Sequence, residues 1–449
     1  MSLKYSAITG GIVALILPAI LFAQQAPISI TLGDAARLAA RQSAPAIEAD
    51  LRTREAEARV SQRRADLLPS VNAAAIESGH TLNSATFGFD FPAPAGGKPL
   101  LDPAGQIIGP VKTLDVRGRV TVPAIDFAAR ERVQTARVGV LASQAEAKAA
   151  GDQAAATAAI SYLRVARADA LISARAADSV LADTLLSIAR DQLHAGVGVG
   201  LDVTRAQSQI SGIHAQLISA RGEAARSRLE LVRAIGAPLD ASIAIASPLQ
   251  GMDIAAGIPD EAASITLAMS RRADIQAAAR QVDVGRQGSR ALKAERLPTL
   301  SAFADDGEIG KNGSHFLNTY VWGVELSFPV FDGFRRQAKL SEQDAVNAGL
   351  DIRRKELERQ VSVEVRSAIV NLATARDQVV AARERLTFAH QEYSQAQDRF
   401  KAGVASNADV IAASLSLNGA RNLEIDALAN YQAAKVDLAR AEGVATELH

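Results

Sequence analysis

The sequence repeats itself once, and this duplication limits the possible fold more than any other feature. Pro69 and Pro298 lie in similar segments, Leu-Leu-Pro-Ser and Arg-Leu-Pro-Thr, 229 positions apart. Val122-Pro-Ala-Ile-Asp126 returns 206 positions later as Phe328-Pro-Val-Phe-Asp332. A repeat of this kind means that one supersecondary unit occurs twice. The predicted order in each half is helix, strand, loop, strand, long helix, glycine turn, long helix.

The spacing of the repeated segments also locates a difference between the halves. The first half is longer by 23 residues between its proline segments, and residues 91–99 there are rich in proline and glycine, which indicates a longer surface loop. Ala195-Gly-Val-Gly-Val-Gly-Leu-Asp202 returns 207 positions later as Ala402-Gly-Val-Ala-Ser-Asn-Ala-Asp409. These two glycine turns would each join a pair of long helices.

Two of the predicted strands alternate between apolar and polar residues, as a strand with two different faces does. The partner strands, near residues 70–78 and 299–308, alternate less cleanly. An apolar face of about ten residues suits contact with lipid. A sheet of a soluble protein with one solvent-exposed face fits the alternation equally well. The predicted lipid-facing positions are Leu114, Val116, Val120, Val122, Tyr320, Trp322, Val324, Leu326 and Phe328.

Two predicted helices, over residues 126–193 and 332–401, contain no proline. At about 1.5 Å per residue each would extend for about 100 Å. Apolar residues recur at threes and fours along both, which is typical of a coiled coil diluted by alanine. Return helices are predicted over 202–235 and 409–442, each followed by a glycine, and shorter continuous helices over 32–67 and 260–297.

Composition and charge exclude several classes of protein. Lys plus Arg and Asp plus Glu both total 49, so no basic surplus indicates a nucleic-acid partner. The chain has no cysteine, which excludes disulfides, thiolate metal sites and a lipidated N-terminal cysteine. Residues 1–23 read as a secretory signal peptide, and beyond them no apolar run is long enough for a spanning helix. A membrane-spanning part would therefore consist of strands.

The predicted organisation has five segments: a signal peptide (1–23), a first structural repeat (24–236), a linker (237–258), a second repeat (259–443) and a C-terminal tail (444–449). The fold class is mainly α with a minor β part, built from long coiled-coil helices and four strands. Four strands cannot close a barrel, and an open sheet edge is not tolerated in lipid. A membrane role would thus require several copies of the chain.

In this order and duplicated, these segments resemble the outer membrane efflux protein (TolC-like) family. The resemblance covers essentially the whole chain after residue 23 and is carried by Ile30-Thr-Leu-Gly-Asp-Ala-Ala, Leu68-Pro-Ser, Leu297-Pro-Thr, Phe328-Pro-Val-Phe-Asp-Gly-Phe-Arg335 and the two glycine turns. It implies a homotrimer whose twelve-stranded outer-membrane barrel continues into a periplasmic α-helical tunnel. It also implies a passive exit duct of a tripartite efflux or type I secretion system in a Gram-negative-type cell, without a lipid anchor.

The resemblance further implies partners and a gate. The partners would be outer-membrane lipid, a periplasmic adaptor and an inner-membrane pump of RND or ABC type, with the adaptor at the turns of Gly196, Val199, Gly403 and Ser406. Family members hold the tip of the tunnel shut with a Tyr, an Arg and two Asp, whose places correspond here to Phe400, Ala405, Asp409 and Ala412. Because only Asp409 is polar, closure is expected to rely on packing around Phe400 and Leu193.

Asp409 has two competing interpretations. Three copies of it at a narrow tip would repel one another and favour cations. Alternatively, Asp202 and Asp409 cap the N-termini of their return helices, because each follows a turn and precedes a helix.

No pattern in the chain predicts catalysis or a cofactor. The glycine turns lack the context of a phosphate-binding loop, the six histidines show no metal-ligand spacing, and no G-x-S-x-G segment occurs. We therefore expect a protein that is not an enzyme and binds neither metal nor nucleic acid. A structural coiled-coil protein of the cell envelope is the alternative, but it leaves the duplicated strands unexplained.

Overall fold

In the computed structural model the described residues are 28–87, 96–97, 105–252, 257–311 and 313–448. The predicted signal peptide and most of the loop over residues 91–99 lie outside them, as do residues 253–256 of the predicted linker.

The order of elements repeats in the two halves of the chain. The first half comprises β1 (Ile28–Ile30), α1 (Leu32–Gln42), α2 (Ala44–Ala65), β2 (Ser70–Asn83), β3 (Ile107–Ile125), α3 (Phe127–His194), α4 (Gly200–Ala234) and β4 (Ile243–Ile245). The second half comprises α5 (Glu261–Arg271), α6 (Ala273–Ala294), β5 (Thr299–Lys311), β6 (Ser314–Ser327), α7 (Arg335–Lys401) and α8 (Asn407–Glu442). β1 and β4 form a small parallel pair between the long elements.

The four long strands form one antiparallel sheet in the order β2-β3-β5-β6. Its register aligns Val120 with Ala304 and Ala304 with Trp322, so the apolar positions predicted on β3 and β6 share one face. Trp322 is 76% exposed on that face. One predicted position is wrong as a strand residue, since β6 ends at Ser327, one residue before Phe328.

The opposite face of the sheet holds a group of charges. The Asp305 carboxylate is almost fully buried between Arg117, at 3.0 Å, and Arg119, at 2.8 Å. Arg117 also contacts Asp115 at 2.7 Å. The acidic run at 305–308 lies inside β5, which continues three residues beyond the predicted strand end to Lys311.

The long helices are as extended as predicted, and they pack side by side. Near the sheet, neighbouring helices lie side by side in the order α2, α3, α6, α7. Farther from the sheet, the order is α4, α3, α8, α7. Many of the buried positions of α3 are alanines, which allow neighbouring helices to approach closely. α7 begins at Arg335 and not at Asp332, because Asp332 precedes the helix and binds Arg336 at 2.7 Å.

None of the described helices combines the length and the apolar character needed to cross a lipid bilayer.

The two shorter helices are not continuous, which corrects the sequence prediction. Ser43 separates α1 from α2 and Arg272 separates α5 from α6, each with an extended backbone. Pro45 explains the first break, since proline cannot continue a helix without losing a hydrogen bond. The second break contains no proline, but Ser43 and Arg272 are 229 positions apart, the same offset as Pro69 and Pro298.

Arg272 joins three elements at the second break. Its guanidinium binds Asp274 at 2.6 Å, Glu364 of α7 at 2.6 Å, and the carbonyl oxygen of Ala441 at the end of α8 at 3.3 Å. Burial raises the pKa of Asp274 and Glu364, but the hydrogen bonds and the positive charge of Arg272, together with smaller contributions from other neighbours, outweigh it, so the pKa of both carboxyls lies below its usual range. The buried arginine is thereby paired on both sides.

Each return helix ends in a glycine that packs against one of the breaks. Gly236 (φ +73°) lies against Gln42, and Gly443 (φ +77°) lies against Arg272. A Cβ at Gly236 would overlap the carbonyl oxygen of Gln42, and a Cβ at Gly443 would lie 3.0 Å from the Cα of Arg272. Both positions therefore require glycine for conformation and for space.

Gly443→Ala is expected to destabilise the protein more than Gly403→Ala. Both glycines have a positive φ, +77° and +72°, which costs an alanine about 1 kcal/mol. Only at Gly443 does the added methyl meet backbone atoms, whereas nothing lies within 4 Å at Gly403. We expect a total loss of about 2–3 kcal/mol for Gly443→Ala. Equal melting temperatures of the two purified variants, followed by circular dichroism, would contradict the packing argument.

Candidate functional site

The candidate site is the end of the molecule that lies farthest from the sheet, where the two glycine turns are. We call it the tip: residues 192–202 and 399–412. Both turns have the same cap, with Gly196 and Gly403 at positive φ and donating to the carbonyls of Leu193 and Phe400 at 3.1 and 3.0 Å. The predicted docking residues Val199 and Ser406 are exposed. The sequence pattern Ala-Gly-Val thus specifies the same turn twice.

Phe400 and Leu193 occupy equivalent positions in the repeat but have different surroundings. Phe400 is buried and packs with Leu185 of α3 and with Val410 and Ala413 of α8. Leu193 is 41% exposed and is not part of this cluster. Of the two predicted packing residues, the fold of a single chain therefore buries only Phe400.

The two aspartates at the tip do not occupy the N-cap positions that the sequence predicts for them. The N-cap residues are Val199 and Ser406, which corrects the assignment of that position to Asp202 and Asp409. Asp409 still holds the helix start, since its carboxylate accepts hydrogen bonds from the amide and the hydroxyl of Ser406, both at 3.0 Å. Asp202 instead lies 3.7 Å from Arg205.

The three remaining predicted gate positions lie together. Ala405, Asp409 and Ala412 line one groove between α7 and α8. Phe388 and Arg399 line the same groove from α7. Arg399 was not predicted, although it is a basic residue only six positions before Ala405. Its charge counters that of Asp409, so the geometry of a single chain does not favour an exclusively acidic ring.

Two side-chain amides connect the helical hairpins α3–α4 and α7–α8 at the tip. The amide nitrogen of Gln192 donates to the carbonyl oxygen of Phe400 at 3.1 Å. The amide nitrogen of Asn407, which is fully buried, donates to the carbonyl oxygen of Asp202 at 2.7 Å. Neutral donors thus connect the hairpins at the tip. We call these two bonds the amide contacts.

A second set of polar contacts joins the same hairpins farther from the tip. Asp178 of α3 is fully buried and binds Arg421 of α8 at 2.6 Å and Arg175 at 3.1 Å. The Asn418 amide, with its nitrogen facing the carboxylate, donates to both oxygens at 2.6 and 3.1 Å. We call these four residues the buried ion cluster. Separating this carboxylate from its donors would leave a buried charge without a partner, which costs free energy.

One further group next to the buried ion cluster has a shifted pKa. Burial, reinforced by the positive charge of Arg421, lowers the pKa of His390 on α7. The imidazole is therefore neutral near neutral pH and adds no second positive charge beside Arg421.

The described residues contain no group of three or more His, Asp or Glu side chains that could hold a metal ion.

Comparison with known proteins shows which family and which fold the chain resembles. Residues 264–444 match the model of the family described as outer membrane efflux protein. The chain is 31% identical to the fusaric acid resistance protein FusA of Burkholderia cepacia over 173 residues, which is 37% of this chain and 32% of FusA. It is 22% identical to the probable efflux pump outer membrane protein TtgC of Pseudomonas putida over 265 residues, 57% of this chain and 53% of TtgC.

These matches span about a third to about half of the length of the curated relatives. Solved structures extend the likeness to nearly the whole fold. The outer membrane protein VceC of Vibrio cholerae superposes with a TM-score of 0.71 at 17% identity, covering 92% of this chain and 96% of VceC. The predicted fold class, mainly α with four long strands and two long helical hairpins in one chain, is confirmed. Residues 264–444 thus match the outer membrane efflux protein family, and the described chain shares the fold of VceC.

Proposed function

We propose that this chain is one copy of a passive exit duct through the outer membrane of a Gram-negative-type cell, serving an efflux or type I secretion system. The observation that carries the proposal is the sheet. Its apolar residues share one face, and its edge strands β2 and β6 have no second partner within the described chain. Unpaired strand edges in lipid must be satisfied by another chain.

We propose three copies, because the number of strands sets the width of a barrel. Two copies would supply eight strands, whose interior is filled by side chains. Three copies supply twelve strands, the number that the resemblance to the family implies. The apolar face would then meet lipid, and Arg117, Arg119 and Asp305 would face water inside.

The helical part supports the same lateral assembly. The helices at the two lateral edges, α4 and α7, expose apolar side chains that a single chain leaves uncovered. Ile218 of α4 is 70% exposed, and Val363 and Val370 of α7 are 61% and 62% exposed. In the proposed trimer α7 of one copy packs against α4 of the next, which gives these residues a partner and extends the duct by about 100 Å.

The duct itself performs no chemical step in this proposal. Its cargo would be chosen by an inner-membrane pump, and a periplasmic adaptor would join that pump to the tip.

Substitution of the apolar face tests its contact with lipid. Val324→Arg is expected to lower the stability of the folded protein in lipid vesicles by about 2–4 kcal/mol, because it places a charge against hydrocarbon. Val321→Arg, on the opposite face of the same strand, is the matched control and is expected to cost far less. The measurement is urea unfolding in vesicles, together with recovery in the outer-membrane fraction. Equal losses in both variants would show that Val324 does not face lipid.

The assembly is tested on the protein extracted from outer membranes in detergent. Native mass spectrometry is expected to give three times the chain mass, and planar bilayers are expected to conduct when the protein is added. A fully soluble, monomeric and non-conducting product would refute the duct and favour a structural protein of the envelope.

The adaptor site is tested by crosslinking in cells, using a chain that has no native cysteine. Cysteines at the exposed positions Val199 and Ser406 are expected to link to one periplasmic partner, whereas a cysteine at the exposed position Leu51, on α2 and away from the tip, is the control. If neither turn captures an adaptor, the docking proposal is wrong.

A further inference from the structure

A group of exposed apolar side chains follows the sheet at the end of β6. Val330, Phe331 and Phe334 are 84%, 75% and 74% exposed. The rings of Phe331 and Phe334 meet edge to face, with their centroids 5.6 Å apart. All three residues belong to the segment 328–334, which joins β6 to α7 and which we call the aromatic connector. Large apolar side chains grouped in this way on a surface indicate a contact with a partner.

The first half of the chain has no such group at the equivalent place. At the offset of 206 residues Phe334 corresponds to Ala128, which is buried inside α3. α3 begins at Phe127, whereas α7 begins at Arg335, two positions later in the repeat. The internal repeat therefore does not account for the exposed rings, and the aromatic connector is a feature of the second half alone.

The backbone of the aromatic connector is held in place by hydrogen bonds. Arg336 binds the carboxylate of Asp332 at 2.7 Å and the carbonyl oxygen of Pro329 at 3.2 Å. Phe334 has a φ of +65°, in the left-handed region that favours glycine. A bulky residue in this conformation, with its ring at the surface, points to a role for the ring outside the fold of a single chain.

Carboxylates limit the apolar face of the sheet on the side away from the helices. Asp306 of β5 lies opposite Tyr320, and Glu77 of β2 lies opposite Leu114. Both carboxylates are exposed on the apolar face, and they are 229 positions apart, so both halves place a charge at the same level. Charged groups on a lipid-facing surface are disfavoured within the hydrocarbon layer. Hydrocarbon therefore reaches no farther than this level.

The strands below that level are too short to match the hydrocarbon layer. The apolar positions of β6 run from Tyr320 to Leu326. At about 3.3 Å per residue this is about 20 Å along the strand, or about 15 Å of height at a tilt of about 40°. The apolar band of a membrane barrel is about 25 Å tall. Because the carboxylates close the other side, the missing height lies toward the helices, where Phe328 and the rest of the aromatic connector follow.

We infer that the aromatic connector enters the periplasmic leaflet of the outer membrane and that its partner is phospholipid. Phe331 and Phe334 lie at the boundary between acyl chains and headgroups, where aromatic side chains are favoured. Arg335, which is exposed and follows directly, lies on the headgroup side and suits a phosphate group. This inference rests on the proposed contact of the sheet with lipid. It adds a non-strand segment to the membrane-embedded part of each copy.

Tryptophan fluorescence tests the inference, because the chain has a single tryptophan, Trp322, on the apolar face of the sheet. Trp322→Phe with Phe334→Trp moves this probe to the aromatic connector. Trp322→Phe with Val346→Trp is the matched control, since Val346 is exposed on α7 about 18 Å farther along the helix. The native protein and both variants are placed in phosphatidylcholine vesicles with bromine near the headgroup end of the acyl chains, near their far end, or absent. Circular dichroism verifies the fold of each variant.

Bromine near the headgroup end is expected to quench the tryptophan at position 334 about two-fold, and bromine at the far end to quench it less, whereas the tryptophan at position 346 keeps its intensity. A fluorophore on Val330→Cys, in a chain without native cysteine, repeats the measurement with Phe334 intact.

Quenching of native Trp322 without quenching at positions 334 and 330 would overturn the inference and show that another copy or water covers the aromatic connector. Equal quenching at positions 334 and 346 would overturn the assigned level in the membrane. Absence of quenching of native Trp322 would instead refute the lipid contact of the proposed function.

Discussion

The unpaired edges of the sheet are the constraint on which the other features depend. Backbone amides of β2 and β6 need partners that a single chain does not provide within its described residues. The order of strands, β2-β3-β5-β6, matches the order of the helices beneath them, α2, α3, α6, α7, so each edge strand lies above an edge helix. One lateral contact with another copy can therefore satisfy the strand edges and cover the exposed apolar residues of the helices together.

Between the sheet and the tip the fold is held by its two helix breaks. Ser43 and Arg272 redirect the chain, and the glycines that end α4 and α8 pack against them. This arrangement places the ends of the return helices at the level where the shorter helices change direction. In the second half of the chain, the guanidinium of Arg272 holds α6, α7 and α8 together at this level. The long helical hairpins are thus fixed at the end that lies beside the helix breaks. Their other contacts with each other lie along their length.

Sequence reasoning reached the elements that depend on local pattern and missed those that depend on neighbours. Alternation and the repeat predicted the strands and the long helices. The break at Pro45 had a local signal, and the break at Arg272 had only the repeat offset of 229. Phe400 and Leu193 are both apolar and equivalent in sequence, yet one is buried and the other exposed, because burial depends on which helix lies beside them. Asp178 shows the same limit, since its partner Arg421 is 243 residues away.

The connections between paired strands differ greatly in length, and this has a consequence for symmetry. β2 and β3 are joined by residues 84–106, whereas β5 and β6 are joined by residues 312–313 alone. At the other end of the molecule the two glycine turns are equal in length and nearly equal in geometry. In the proposed trimer the tip would thus present six similar hairpins, and a partner with sixfold symmetry could meet it. The outer rim would alternate long and short loops, so anything that binds from outside would meet a strictly threefold surface.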